Sequence, residues 1–211
     1  MVLAGPGTGK TTVITSRIAN LIESKAVRPE NILVVTFSRA ASNEMKERYG
    51  RLSMTWRGRD VSFGTFHSIF YKLLRQYKGY RLEDLIDGNS KFNIIKSLVR
   101  RLEPSLAEDD EHIRNIIGDM EYVISTMSGA GDFKSGSYKN SQLKGIMEEY
   151  NDLKRQSGKY DYDDILSHCL NMLAEAPKIL KEVRERFKYI LVDEFQDINA
   201  LQFEAIKLIA E

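Results

Sequence analysis

The sequence predicts an α/β fold, a parallel β-sheet flanked by helices and interrupted by an all-helical subdomain. Three observations carry that prediction. Apolar runs of strand length at residues 32–37, 61–64 and 189–192 alternate with helical periodicities, the pattern of a parallel sheet whose crossovers are helices. A glycine-rich run, Ala4-Gly5-Pro6-Gly7-Thr8-Gly9-Lys10-Thr11-Thr12, joins a short apolar strand end to a helical pattern. Between residues 79 and 159 the strand-like runs stop and amphipathic helical stripes take over.

Taken in order, Val2-Leu3-Ala4 reads as the end of a buried strand. Gly5, Gly7 and Gly9 then let the main chain curl so that successive N–H groups point at one anion. Pro6, Thr8 and Thr12 belong to the same loop. Lys10 is placed to reach the β- and γ-phosphates of a nucleoside triphosphate, and Thr11 to offer its hydroxyl to Mg²⁺. A helix starting near Thr11 directs the positive end of its dipole at the same anion. Its apolar period is Val13, Ile14, Ile18, Leu21 and Ile22. The usual first glycine of this loop is Ala4 here, a small residue in its place.

After the strand at 32–37, Ser38 is a natural N-cap for a helix through Tyr49. After the strand at 61–64, Phe66, Ile69, Phe70, Leu73, Leu74 and Tyr77 recur at helical spacing. Three further stripes fill the helical segment: Phe92 to Leu102, Ile113 to Met127, and Leu143 to Leu153. Methionines in these stripes read as core filler. The acidic run at 108–111 reads as a solvated helix start, and residues 128–140, rich in Gly and Ser, as a mobile loop. The predicted organisation is a discontinuous α/β domain of residues 1–78 and 160–211 with a helical insertion at 79–159.

The strand at 189–192 ends in Asp193 and Glu194. Asp193 suits a Mg²⁺ ligand and Glu194 a group that orients or deprotonates an attacking water. A buried strand whose acidic end caps the next helix is the plainer reading of the same residues.

Lys and Arg number 31 against 30 Asp and Glu, so nucleic-acid binding, if present, comes from a local groove and not from global charge. The single Cys169 excludes an internal disulfide framework and falls in an apolar helical stripe, where a buried thiol acts as a small hydrophobe. No apolar stretch approaches the roughly 18 residues of a membrane span and no signal pattern opens the chain, so a soluble, cytoplasmic protein is expected.

A phosphate loop and an acidic strand end are shared by kinases, GTPases, transporter ATPases and motors. Three runs between them narrow the field: Val35-Thr36-Phe37-Ser38-Arg39-Ala40-Ala41-Ser42-Asn43-Glu44-Met45, Gly64-Thr65-Phe66-His67-Ser68 and Tyr160-Asp161-Tyr162-Asp163-Asp164-Ile165-Leu166. With Val2 to Thr11 and Val192-Asp193-Glu194-Phe195-Gln196-Asp197-Ile198-Asn199, they make five ordered motifs. On these the chain resembles the N-terminal part of superfamily 1 DNA helicases of the UvrD, Rep and PcrA type, across essentially its whole length.

The resemblance implies a P-loop NTPase of RecA-like fold that uses ATP and Mg²⁺. Its implied partner is single-stranded DNA, or DNA with a single-stranded tail, tracked 3′ to 5′. It places Phe37, Arg39, Phe66 and His67 near that strand. It makes Gln196 the residue that couples hydrolysis to the DNA groove, with Asp197 shaping the same loop. Aromatic faces do stack on unpaired bases without regard to sequence, and Arg pairs with phosphate. Phe37 and Phe66 also fit apolar patterns, so core packing stays open for both, and His67 fits a helix start equally well.

Two departures stand out. Only three residues precede Ala4, so the family's adenine-reading segment is not in the chain, and the chain stops at Glu211 before the second motor domain. That domain supplies arginines to the γ-phosphate in cis, worth orders of magnitude in rate. The expectation is an ATP-binding front half of a helicase, inactive or very weak by itself. The alternatives are a module that binds nucleotide or DNA without turnover, or a P-loop NTPase with no nucleic-acid role.

Overall fold

The computed structural model describes residues 9–52, 60–128 and 140–211. The predicted strand at 2–4 and the loop residues Gly5, Pro6, Gly7 and Thr8 lie outside them, as does nearly all of the predicted loop at 128–140. Among the described residues the chain is α-rich with a small parallel three-stranded sheet, and it separates into two compact units. One comprises Met1–Lys72, Asn171–Ile198 and Phe203–Glu211, the other Leu73–Leu170 with Asn199–Gln202.

In the first unit the sheet order is β2-β1-β3, with β1 at Ile32–Thr36, β2 at Ser62–Thr65 and β3 at Tyr189–Val192. All five residues of β1 are fully buried, which is why this strand reads as a continuous apolar run instead of an alternating one. The parallel register pairs Thr36 with Thr65 and Val35 with Val192, so the C-terminal ends of all three strands share one edge. Asp193 extends that edge, its amide donating to the Val35 carbonyl at 2.9 Å. The predicted strand ran through Phe37; the structure ends it at Thr36.

Helix α1 (Lys10–Glu23) lays Ile18, Leu21 and Ile22 on Ile32 and Val34 of β1. Met45 and Tyr49 of α2 (Arg39–Leu52) complete that core with Val61. Val13, counted in the apolar period of α1, is instead 45 % exposed. Ser38 caps α2 as its side chain predicts: its Oγ accepts from the Ala41 amide at 3.1 Å. Helix α3 (Phe66–Lys78) begins directly at the end of β2.

The second unit is helical. Helix α4 (Gly88–Leu102) packs with α5 (Asp110–Thr126) and α6 (Asn140–Ser157) around Ile95, Leu98, Ile113, Ile116, Ile146 and Tyr150. Met120 and Met147 fill that core, whereas Met127, Leu102 and Leu153 from the same predicted stripes are exposed. The acidic run resolves into a cap: Asp109 Oδ1 accepts from the Glu111 and His112 amides.

Helix α7 (Tyr162–Glu175) shows what its acidic start does. Asp161 Oδ1 accepts from the Asp163 and Asp164 amides while Asp164 Oδ2 accepts from the Asp161 amide, a reciprocal capping box. Lys154 reaches Asp164 at 2.7 Å and Asp161 at 3.3 Å, and Lys91 reaches Asp163 at 2.6 Å and Glu121 at 3.1 Å. Lys154 and Lys91 are almost wholly buried, and buried charges persist only when paired. The motif's carboxylates are therefore engaged inside the helical unit. Burial and the neighbouring Asp161 push Asp164 above the ordinary carboxylate range. Cys169 is buried as expected, and burial pushes its thiol up to about 12. Among the described residues no helix is long and apolar enough to cross a membrane.

Candidate nucleotide and nucleic-acid site

The edge formed by the strand C-termini is where the predicted residues gather. Gly9 holds φ +84°, a left-handed value that favours glycine, and turns the chain into α1. Lys10, the first residue of α1, reaches the end of β3, where its Nζ lies 2.6 and 2.8 Å from the two carboxylate oxygens of Glu194. Residues 184 positions apart in sequence thus meet at one point.

Glu194 sits in an unusual backbone state for a residue with a Cβ, φ +51°, directly after Asp193. Such αL geometry costs a non-glycine residue roughly 1–2 kcal/mol and here sends the Glu194 side chain back to Lys10. Gln196, in the following 3₁₀ turn (Phe195–Asp197), donates Nε2 to Glu194 Oε2 and, at 3.3 Å, to Asp197 Oδ2. Hydrogen bonds from Lys10 and then Gln196 hold the Glu194 carboxyl below its usual range, and the same Glu194 contact raises Lys10. Asp193 moves the other way: burial and then the adjacent Glu194 charge push it up.

The Lys10–Glu194 pair is open to solvent, with the side chains 28 and 34 % exposed. Water-exposed ion pairs exchange partners at little cost, so an incoming phosphate can take Lys10 from Glu194. Thr11 is half-buried and Thr12 exposed beside it. Their backbone carbonyls accept from the Thr15 hydroxyl at 3.0 Å each, fixing the first turn of α1. Among the described residues no group of three or more His, Cys, Asp and Glu side chains converges on a point. That donor set still fits Mg²⁺ in a triphosphate site, because this ion takes one or two carboxylates and completes its shell with phosphate and water. The Asp193 and Glu194 carboxylates stand next to each other in sequence at this edge, a charge a divalent cation would offset.

The four residues expected near DNA separate on burial. Phe37, in the turn between β1 and α2, is 62 % exposed, and Arg39, the first residue of α2, is exposed. His67 is half-buried in the first turn of α3. Phe66 fits the core-packing alternative: it is 2 % exposed, and its ring meets Phe70 edge-on at 6.0 Å. It opens α3 with no intervening residue and packs one turn along its own helix.

Thr36 and Thr65 were not singled out from the sequence. Thr36 Oγ1 donates to the Ser38 carbonyl at 3.0 Å, and Thr65 Oγ1 accepts from the Ser68 amide at 3.3 Å. The signal available was their position: a hydroxyl residue closing each apolar strand.

Comparison with known proteins bears on the same residues, because the model for the UvrD/REP helicase N-terminal domain matches residues 1–211, the whole chain. The chain belongs to the UvrD/REP helicase family. As a UvrD/REP chain it is 33 % identical over its whole length to a putative ATP-dependent DNA helicase, YjcD, of Bacillus subtilis, covering 28 % of that protein. It is 36 % identical to DNA helicase II of Rickettsia typhi, covering 33 %, and 30 % identical to the ATP-dependent DNA helicase PcrA of B. subtilis, covering 29 %. The chain therefore spans about a third or less of the length of these UvrD/REP relatives.

Proposed function

We propose that this chain is the ATP-binding front half of a DNA helicase that moves 3′ to 5′ along single-stranded DNA, its helical unit being an insertion in the first RecA-like domain. The observation that carries the nucleotide reading is the meeting of Lys10 with Glu194, which brings the dipole end of α1 and the acidic end of β3 to one place. The relatives named as ATP-dependent DNA helicases support the same reading.

In this scheme the loop Gly5-Pro6-Gly7-Thr8-Gly9 cradles the phosphates through the N–H groups of its residues other than Pro6, with Lys10, Thr11 and Thr12 at the head of α1. Lys10 leaves Glu194 to bind the β- and γ-phosphates. Thr11 and Asp193 hold Mg²⁺, which when bound neutralises the charge on the transferring phosphoryl group. Glu194, released from Lys10, orients the attacking water and accepts its proton. Gln196, hydrogen-bonded to Glu194, senses the change and passes it to the strand edge. Phe37 stacks on an unpaired base and Arg39 pairs with phosphate, with His67 beside them. Phe66 supports that edge from within the core. The second motor domain of the whole protein supplies the remaining γ-phosphate contacts.

The test is phosphate release from Mg·ATP by this chain and by the full-length protein, with and without single-stranded oligonucleotide, against Lys10→Ala. We expect DNA-stimulated release by the full-length protein, abolished in Lys10→Ala, and little by the chain alone. Release unchanged in the Lys10→Ala full-length protein would overturn the assignment.

A further inference from the structure

The turn that carries Phe37 is built from one buried hydroxyl. Thr36 is the last residue of β1 and is fully buried, yet it carries a polar side chain among Ile32, Leu33, Val34 and Val35. Its Oγ1 donates to the carbonyl of Ser38 at 3.0 Å, bridging over Phe37. The same Ser38 carbonyl accepts the Ser42 amide, the first bond of α2, at 3.0 Å, and Ser38 Oγ caps the Ala41 amide. The hydroxyl therefore ties the end of the central strand to the first turn of the next helix across the intervening residue. That residue is the aromatic side chain left 62 % exposed.

We propose that Thr36 is the positioning residue for Phe37: its hydroxyl, by bonding the Ser38 carbonyl, closes the turn that holds the Phe37 ring outward for an unpaired base. This rests on the reading of Phe37 as a base-stacking residue. Thr36 touches no base or phosphate; it acts through Phe37.

The energetics make the role separable from simple stability. Thr36→Val keeps the shape and the β-branch that suit a buried strand, and the Ser38 carbonyl keeps its bond from Ser42, so no acceptor is orphaned. What is lost is the restraint on the turn. A single neutral hydrogen bond corresponds to about two- to tenfold in an equilibrium.

The experiment measures binding of a fluorescein-labelled oligo-dT and of an abasic oligonucleotide with the same backbone, at low salt, to the parent chain and to Thr36→Val, Thr36→Ser and Phe37→Ala. Backbone ¹⁵N order parameters at Phe37 are measured alongside. We expect Thr36→Val to lose about two- to tenfold for oligo-dT and nothing for the abasic strand, with Thr36→Ser like the parent and the Phe37 amide more mobile in Thr36→Val. Equal losses on both strands, or no loss on oligo-dT, overturn the positioning role. An unchanged order parameter at Phe37 overturns it too, including where DNA binding is too weak to compare. If Phe37→Ala itself binds oligo-dT as the parent does, the stacking reading falls and takes this inference with it. If Phe37→Ala weakens and Thr36→Val does not, only the inference falls.

Discussion

Thr36-Phe37 and Thr65-Phe66 are the same dipeptide at the same height on neighbouring strands, since the register pairs Thr36 with Thr65. Their aromatic rings go opposite ways, Phe37 to 62 % exposure and Phe66 to 2 %. The flanking residues account for the split. After Thr36 the chain spends Phe37 and Ser38 on a turn before α2 starts at Arg39, and Ser38 supplies the cap. After Thr65, α3 starts at once with Phe66, which packs against Phe70 four residues on. The residue before each threonine differs as well: Val35 opposite Gly64. A Cβ at Gly64 would lie 2.5 Å from Ser68 Oγ and 2.8 Å from Ile69 Cδ1, so the first turn of α3 comes closer to its strand than any side chain permits. The local dipeptide is thus silent on whether an aromatic residue is core or contact; its neighbours settle the question through how soon the helix begins.

Phe66→Ala is expected to give the largest effect, a stability loss of about 3–5 kcal/mol from the lost burial and the cavity left behind, read by urea unfolding. A loss under about 1 kcal/mol would return Phe66 to the surface, because exposed positions rarely cost more. Gly64→Ala follows, at about 1–3 kcal/mol as Ser68 and Ile69 are forced aside. The same change at the surface glycine Gly118, where an added Cβ meets nothing within 4 Å, serves as the control in the same unfolding assay.

Phe37→Ala sharpens the contrast from the other side. It should leave stability within about 0.5 kcal/mol while weakening single-stranded DNA binding by about 1–3 kcal/mol, measured by anisotropy. The smallest effect is expected at the acidic edge. Asp193 is raised by burial and by Glu194, so the folded chain binds this proton more tightly than the unfolded chain. Its contribution to stability is full below the unfolded value of 3.8 and is lost as pH rises through the folded one. Asp193→Asn should therefore raise Tm slightly at neutral pH, with the gain fading toward pH 3.8, while Mg²⁺-dependent nucleotide affinity falls.

Much of this was legible in the residues, for identifiable reasons. β1 announces itself because a strand buried on both faces must be apolar throughout, and β3 reads as a strand from its apolar run although Tyr189 is exposed and its other residues are half-buried. Ser38 and the acidic run around Asp109 mark helix starts because their side chains can satisfy free amides locally. The candidate site residues Lys10, Asp193, Glu194 and Gln196 stand in motifs whose spacing is local. Other features rest on distant partners and left no local trace. The partners of Asp161 and Asp164 include Lys154, and Asp163 pairs with Lys91, 72 positions away. The engagement of the acidic start of α7 by two buried lysines is not legible in the local sequence.

By itself the sequence determined the α/β class and the family, and it singled out the candidate residues for phosphate, metal and proton chemistry, because backbone cradles, caps and strand-end carboxylates are specified by residue type and short spacing. Only the tertiary structure decided that Lys10 grips Glu194, that Glu194 takes a left-handed backbone to do so, and that of two identical Thr-Phe pairs one faces solvent and the other the core. These depend on strand register and on where each helix begins, quantities fixed by packing across the sheet and invisible to any window of the chain.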